Sequence, residues 1–155
     1  MDVLFSWIAR LTLLALCIVA SVWDLKWRKI PNWLVVTGLI LGLLFRFLFA
    51  ENVFAALVDS AFGLLAGGLP WLLADVFGYW LTKRRSIGGG DMKFYAMCGV
   101  FLGFEGVLLS YCVLAVVSVC VLGLLWLCRK VKRKDKIPLA PLIAAAVVIT
   151  EVIRL

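Results

Sequence analysis

Met92–Cys128, MKFYAMCGVFLGFEGVLLSYCVLAVVSVCVLGLLWLC, is an almost unbroken apolar run whose only charges are Lys93 and Glu105. A helix rises about 1.5 Å per residue and the hydrocarbon core of a bilayer is about 30 Å thick, so roughly 20 apolar residues make one crossing. The run is too long for that. Its clearest polar interruption is Gly103-Phe104-Glu105-Gly106, which predicts a short fourth span before it and a fifth after it. Reading outward, Val3–Trp23 makes a first span, Trp33–Ala50 a second, Val53–Leu81 a long third and Ile137–Leu155 a sixth. The third is long enough to tilt, or to begin as an interfacial stretch around Asp59.

The composition agrees. The chain has 155 residues, 65% of them hydrophobic, with a mean hydropathy of +1.11, far from the even mixture of a soluble domain. The expectation is an all-α membrane protein folded as a single domain over residues 1–155, a six-helix transmembrane bundle. Val3–Trp23 lacks the basic n-region of a secretory signal and reads as a retained span, with Asp2 as the first charge. No internal repeat or low-complexity linker is legible.

The net charge of +7 does not call for nucleic acid. The basic residues fall in three short segments between spans: Lys26/Arg28/Lys29, Lys83/Arg84/Arg85 and the stretch from Arg129 to Lys136. The positive-inside rule puts all three on the cytoplasmic side, and two spans separate each successive pair. Glu51 and Glu105 then lie outside with both termini, an N-out, C-out topology. The five cysteines sit in apolar stretches without a CxxC pair, and histidine is absent. That removes His-activated nucleophiles and the commonest zinc ligand, so neither metal nor cofactor is expected.

The remaining chemistry rests on carboxylates. Asp24 follows the first span and Asp91 precedes the fourth, so the topology brings both to the cytoplasmic boundary, where two carboxylates suggest an aspartyl protease. Like charges in reach of each other push proton affinities apart, leaving one acid protonated and one ionised. The ionised member can activate water while the other polarises a carbonyl. Gly88-Gly89-Gly90 ahead of Asp91 permits positive φ and close approach of a substrate. Taken alone, this stretch reads as a glycine helix stop followed by an N-cap; the second carboxylate shifts the reading. Lys93 and Arg28 are each either partners for the acids or ordinary interfacial cations. Pro31-Asn32 fixes the entry to the second span. Asp59 and Asp75, inside the third span, are rival acids whose bland reading is pairing with Arg10, Arg46 or polar backbone.

Three blocks resemble the type IV prepilin peptidases, membrane aspartyl proteases of the GxGD type. They are Asp24, Arg28, Ile30, Pro31, Asn32 in D-x-x-x-R-x-I-P-N; Gly88, Gly90, Asp91, Lys93 in G-x-G-D-x-K; and Ile137-Pro138-Leu139-Ala140-Pro141 opening the last span. The resemblance implies a multi-pass enzyme of the inner membrane whose catalytic pair is Asp24 and Asp91, with Gly88, Gly90, Lys93, Arg28, Pro31 and Asn32 in support. Its substrate would be a prepilin or pseudopilin, cut at the cytoplasmic face beside the pilus assembly machinery. Without a CxxC-bearing loop, the chain is similar to the short, peptidase-only members of tight-adherence (Flp-type) systems. Archaeal preflagellin peptidases share the pattern. Two other readings compete: a small proton-coupled transporter using Asp24, Asp75 and Asp91, which calls for acids near the midplane, and an inactive assembly factor, against which both intact aspartates argue.

Overall fold

A computed structural model of the chain describes residues 2–83, 88–127 and 139–154. Among them are five helices and no strand: α1 (Asp2–Trp27), α2 (Asn32–Phe49), α3 (Val53–Thr82), α4 (Gly89–Leu127) and α5 (Ala140–Ile153). In hydrocarbon the backbone must satisfy its own polar groups, which is why such apolar stretches become helices. The first four are long and apolar enough to cross a membrane, so the chain is a multi-pass membrane protein. All five contribute to one core, built on Leu13, Leu34, Phe94, Tyr95 and Ile143 with Ala66 and Trp71 of α3 packed against it.

The count is five helices, not six, and the difference lies in α4. Gly103 has φ 70° and ψ −179°, a left-handed backbone that favours glycine. In an unbroken helix Tyr95 and Tyr111 would stand about 24 Å apart, yet their rings are centred 4.8 Å apart and the Tyr95 and Ser110 hydroxyls are 2.7 Å apart. The chain therefore doubles back at Gly103. No loop separates the two halves, because one residue makes the reversal and charged side chains hold the freed backbone groups. Arg46 Nη2 donates to the Phe101 carbonyl at 3.0 Å and Arg154 Nη1 to that of Leu102 at 2.8 Å. The Phe104 amide donates to Asp59 Oδ1 at 2.9 Å. Cations thus meet the carbonyl end of one half and a carboxylate the amide end of the other, the signs the helix dipole favours. A Cβ at position 103 would collide with the Asp59 carboxylate. The expected last span, Ile137–Leu155, is described as α5 alone, 14 residues and about 21 Å long. Residues 137, 138 and 155 lie outside the described residues, as do Arg84, Arg85 and the basic stretch 129–136.

α3 and α4 meet through small residues: a Cβ at Gly63 or Gly99 would collide with the other's carbonyl, so the backbones touch directly, as at small-residue helix contacts in membranes. Pro70 lies inside α3 and cannot donate to the carbonyl four residues back, that of Ala66. The Tyr111 hydroxyl fills this role, 3.0 Å from the Ala66 carbonyl and 3.1 Å from that of Gly67.

Candidate active site

The C-terminus of α1 and the N-termini of α2, α4 and α5 gather at one end of the bundle, and the three sequence blocks come together there. Asp24 is buried, 6% exposed. It stands in the last turn of α1, which ends as Arg28 adopts φ 53° and donates its amide to the Asp24 carbonyl at 2.8 Å. The chain then turns through Ile30 and Pro31, whose φ of −69° and ψ of 137° start α2 at Asn32. Ile30 is buried and faces Gly90: a Cβ on that glycine would lie 3.4 Å from Ile30 Cβ. One turn on, Lys93 Nζ donates to Asn32 Oδ1 at 3.2 Å. The first and second blocks are therefore in contact through Ile30 against Gly90 and Asn32 against Lys93.

Asp91, partly buried in the first turn of α4, lies near enough to Asp24 for the two carboxylates to repel one another. The third block reaches the same place from α5. The Ala140 amide, at the head of that helix, donates to Asp24 Oδ2 at 3.3 Å. A helix N-terminus leaves its first amides without intrahelical partners, and here a carboxylate from another helix takes one. Asp24 is oriented by backbone that no side chain in α5 announces, and sequence reasoning missed it. Ile137 and Pro138 of this block lie outside the described residues.

Two expectations need adjustment. Gly89 and Gly90 do not use positive φ; among the described residues Gly103 is the glycine that does. Gly89 and Gly90 already belong to α4. Gly88 instead makes room: a Cβ there would stand 2.9 Å from Asp91 Oδ2. Arg28 touches Asp24 through its backbone, and among the described residues no ion pair joins its exposed guanidinium to that carboxylate.

The rival acid Asp59 is taken up elsewhere, with Arg46 Nη1 3.3 Å from Asp59 Oδ2 in addition to the Phe104 amide. Arg10 pairs with Glu151 at 3.0 Å. Both pairs sit at the far end of the bundle. Asp75 is partly buried in α3. Around the motif end, Trp23, Trp27 and Trp33 cluster, with ring centroids 4.5 Å apart for the tilted pair Trp23 and Trp27 and 6.0 Å for the edge-on pair Trp23 and Trp33. Lys26 Nζ lies 4.7 Å from the centre of a Trp27 ring. Tryptophans with basic neighbours are the composition of a membrane–water interface.

Two carboxylates so placed can share one proton, one acting as base toward a water while the other donates to a carbonyl oxygen.

Comparison with known proteins gives the same direction. The sequence model of the type IV leader peptidase family matches residues 11–128, a stretch that contains both aspartates. A prepilin leader peptidase/N-methyltransferase of Pectobacterium carotovorum subsp. carotovorum is 35% identical over 126 residues, 81% of this chain and 43% of that protein. Proteins of the same description from Stutzerimonas stutzeri and Pseudomonas aeruginosa are 32% and 33% identical over 150 and 152 residues, in each case 92% of this chain and 49% of the relative. The chain spans about half the length of these relatives. No solved structure matches it.

Proposed function

The chain belongs to the type IV leader peptidase family, and we propose that it is an aspartic endopeptidase that removes the N-terminal leader of prepilins or pseudopilins, with Asp24 and Asp91 as its catalytic pair. What supports this reading is the convergence of the three sequence blocks at one end of the bundle, with Asp91 near enough to Asp24 to feel its charge. One carboxylate takes a proton from water as it attacks the scissile carbonyl, and the other, protonated, donates to the carbonyl oxygen; the first then passes its proton to the departing amine while the second recovers one from the gem-diol hydroxyl as the C–N bond breaks and the carbonyl reforms. Gly88 leaves the space in which the Asp91 carboxylate stands, Asn32 and Lys93 lock the two blocks together, and Pro31 and Arg28 shape the turn between α1 and α2.

The site's place at a helix-bundle end suits the substrate. A prepilin has a polar leader followed by a hydrophobic helix, so that helix can lie in the bilayer beside the enzyme and present the bond between them at the membrane edge. The basic residues Lys26, Arg28, Lys29 and Lys83 share this end, which makes it cytoplasmic by the positive-inside rule. With α4 doubling back at Gly103, its two halves count as two crossings, and the topology becomes six spans with both termini outside. The whole chain then acts as one peptidase domain in the inner membrane, alongside the pilus assembly machinery.

The test is reconstitution. Purified protein in lipid nanodiscs is incubated with a Flp-type prepilin that carries glycine before its hydrophobic helix, and the product's N-terminus is sequenced. Cleavage directly before that helix is the expected result. An intact substrate under conditions where the protein is folded, or cleavage on the far side of the helix, overturns the proposal. Topology is checked by thiol reagents excluded from the cytoplasm, which should label a cysteine placed at Glu51 and miss one placed at Arg133, in a background without the native cysteines.

A further inference from the structure

At the opposite end of the bundle a cavity of about 360 Å³ opens between α1, α2, α5 and the reversal of α4, and three guanidinium groups line it: Arg10, Arg46 and Arg154. Each arginine carries five N–H donors, and the contacts made among the described residues occupy few of them. Arg10 uses Nε on Glu151, Arg46 uses one nitrogen on Asp59 and one on the Phe101 carbonyl, and Arg154 uses Nη1 on the Leu102 carbonyl. Among the described residues these three positive charges pair with two carboxylates, Glu151 and Asp59, and Arg154 makes no ion pair. Glu105 lines a neighbouring cavity beside Arg154, but among the described residues no ion pair joins them.

The rest of the wall is apolar and aromatic, with Phe45, Phe49 and Phe101 facing the same space. Depth along the helices decides what could fill it. Arg10 precedes Asp24 by fourteen residues on α1, about 21 Å of helix, so the cavity lies most of a hydrocarbon thickness away from the motif end, toward the other membrane surface. Guanidinium forks match phosphate oxygens bidentately, and aromatic walls suit an acyl chain.

We propose that this cavity binds the phosphate of a phospholipid from the leaflet opposite the catalytic end, with an acyl chain laid along Phe45 and Phe49. The lipid bridges the arginines that hold the Phe101 and Leu102 carbonyls, and so clamps the reversal at Gly103 from outside. The proposal is independent of the peptidase assignment, since it concerns binding alone.

Native mass spectrometry of the purified protein in detergent tests it, with dioleoyl phosphatidylglycerol, dioleoylglycerol and inorganic phosphate as probes. Phosphatidylglycerol should bind at least about tenfold more tightly than dioleoylglycerol, and millimolar inorganic phosphate should not displace it. Arg154→Gln should weaken the lipid about tenfold, the worth of one charge-assisted hydrogen bond, with Arg154→Lys in between. Arg10→Gln should weaken it similarly and carries the test if Arg154→Gln does not fold. Equal binding of dioleoylglycerol, displacement by inorganic phosphate, or unchanged affinity in a folded Arg154→Gln or Arg10→Gln protein overturns the proposal.

Discussion

Alanine substitutions along Gly88-Gly89-Gly90 separate two explanations for the glycines before Asp91. If they served backbone freedom, all three substitutions would be damaging to a similar degree. The structure predicts unequal effects. A Cβ at position 88 stands 2.9 Å from Asp91 Oδ2, where ordinary contact begins at 3.4 Å, so the carboxylate must retreat by the difference, 0.5 Å. A misplacement of about 1 Å in a catalytic group costs on the order of 100-fold in rate, which puts Gly88→Ala near a tenfold loss. Gly89→Ala meets nothing within 4 Å and should cleave at the wild-type rate. Gly90→Ala makes only ordinary contact with Ile30, at 3.4 Å, and should gain up to about 1 kcal/mol of helix stability. Gly90→Val adds methyl groups that reach Ile30 and should lower activity more than yield. The assay is the initial rate of prepilin cleavage at matched amounts of nanodisc-embedded protein, with thermal unfolding followed alongside. Wild-type turnover by Gly88→Ala, or losses in Gly89→Ala as large as in Gly88→Ala, would refute the reasoning.

The cleavage rate should follow a bell-shaped pH profile, because below the range of the pair both acids are protonated and no base remains, and above it both are ionised and no acid remains; a single sigmoid would show that one carboxyl acts alone. Asp59→Asn and Asp75→Asn should keep measurable activity. Asp59→Asn should cost about 1–3 kcal/mol of stability, since Arg46 loses its ion-pair partner while the remaining side-chain oxygen can still accept from the Phe104 amide; denaturation in micelles reads this, and an inactive but stable Asp75→Asn would count against the chosen pair. Tyr111→Phe should cost about 1–3 kcal/mol by leaving the Ala66 carbonyl unpaired. The penalty should shrink in a Pro70→Ala background, where the missing amide is restored, and equal penalties in both backgrounds would contradict the role given to Tyr111.

Hydropathy made the helices legible and the polar interruption at Gly103–Gly106 marked where the long run divides. The form of that division was not legible. It depends on Arg46, Asp59 and Arg154 reaching Phe101, Leu102 and Phe104 from three other helices, and nothing local to the run encodes those contacts. Pro70 announced an orphaned carbonyl at Ala66, yet not which hydroxyl would meet it. At the motif end, the charged and glycine residues of the first two blocks stood out in the sequence because their chemistry lies in side chains and spacing. The Ala140 amide on Asp24 was not, since every residue but proline has an amide and only the tertiary fold aims this one. The glycines were readable as special, for positive φ and for close approach; Gly88 supplies space, there for the Asp91 carboxylate, while the positive φ is used at Gly103.

Asp24 and Asp91 are proposed to cut the leader together. Co-expression with a Flp-type prepilin, followed by mass measurement of the pilin N-terminus, tests it most directly across wild type, Asp24→Asn and Asp91→Asn at equal membrane levels. A shortened pilin is expected only with the wild type, because each substitution removes one ionisable member of the pair with little change in size. A shortened pilin with either folded variant would contradict it.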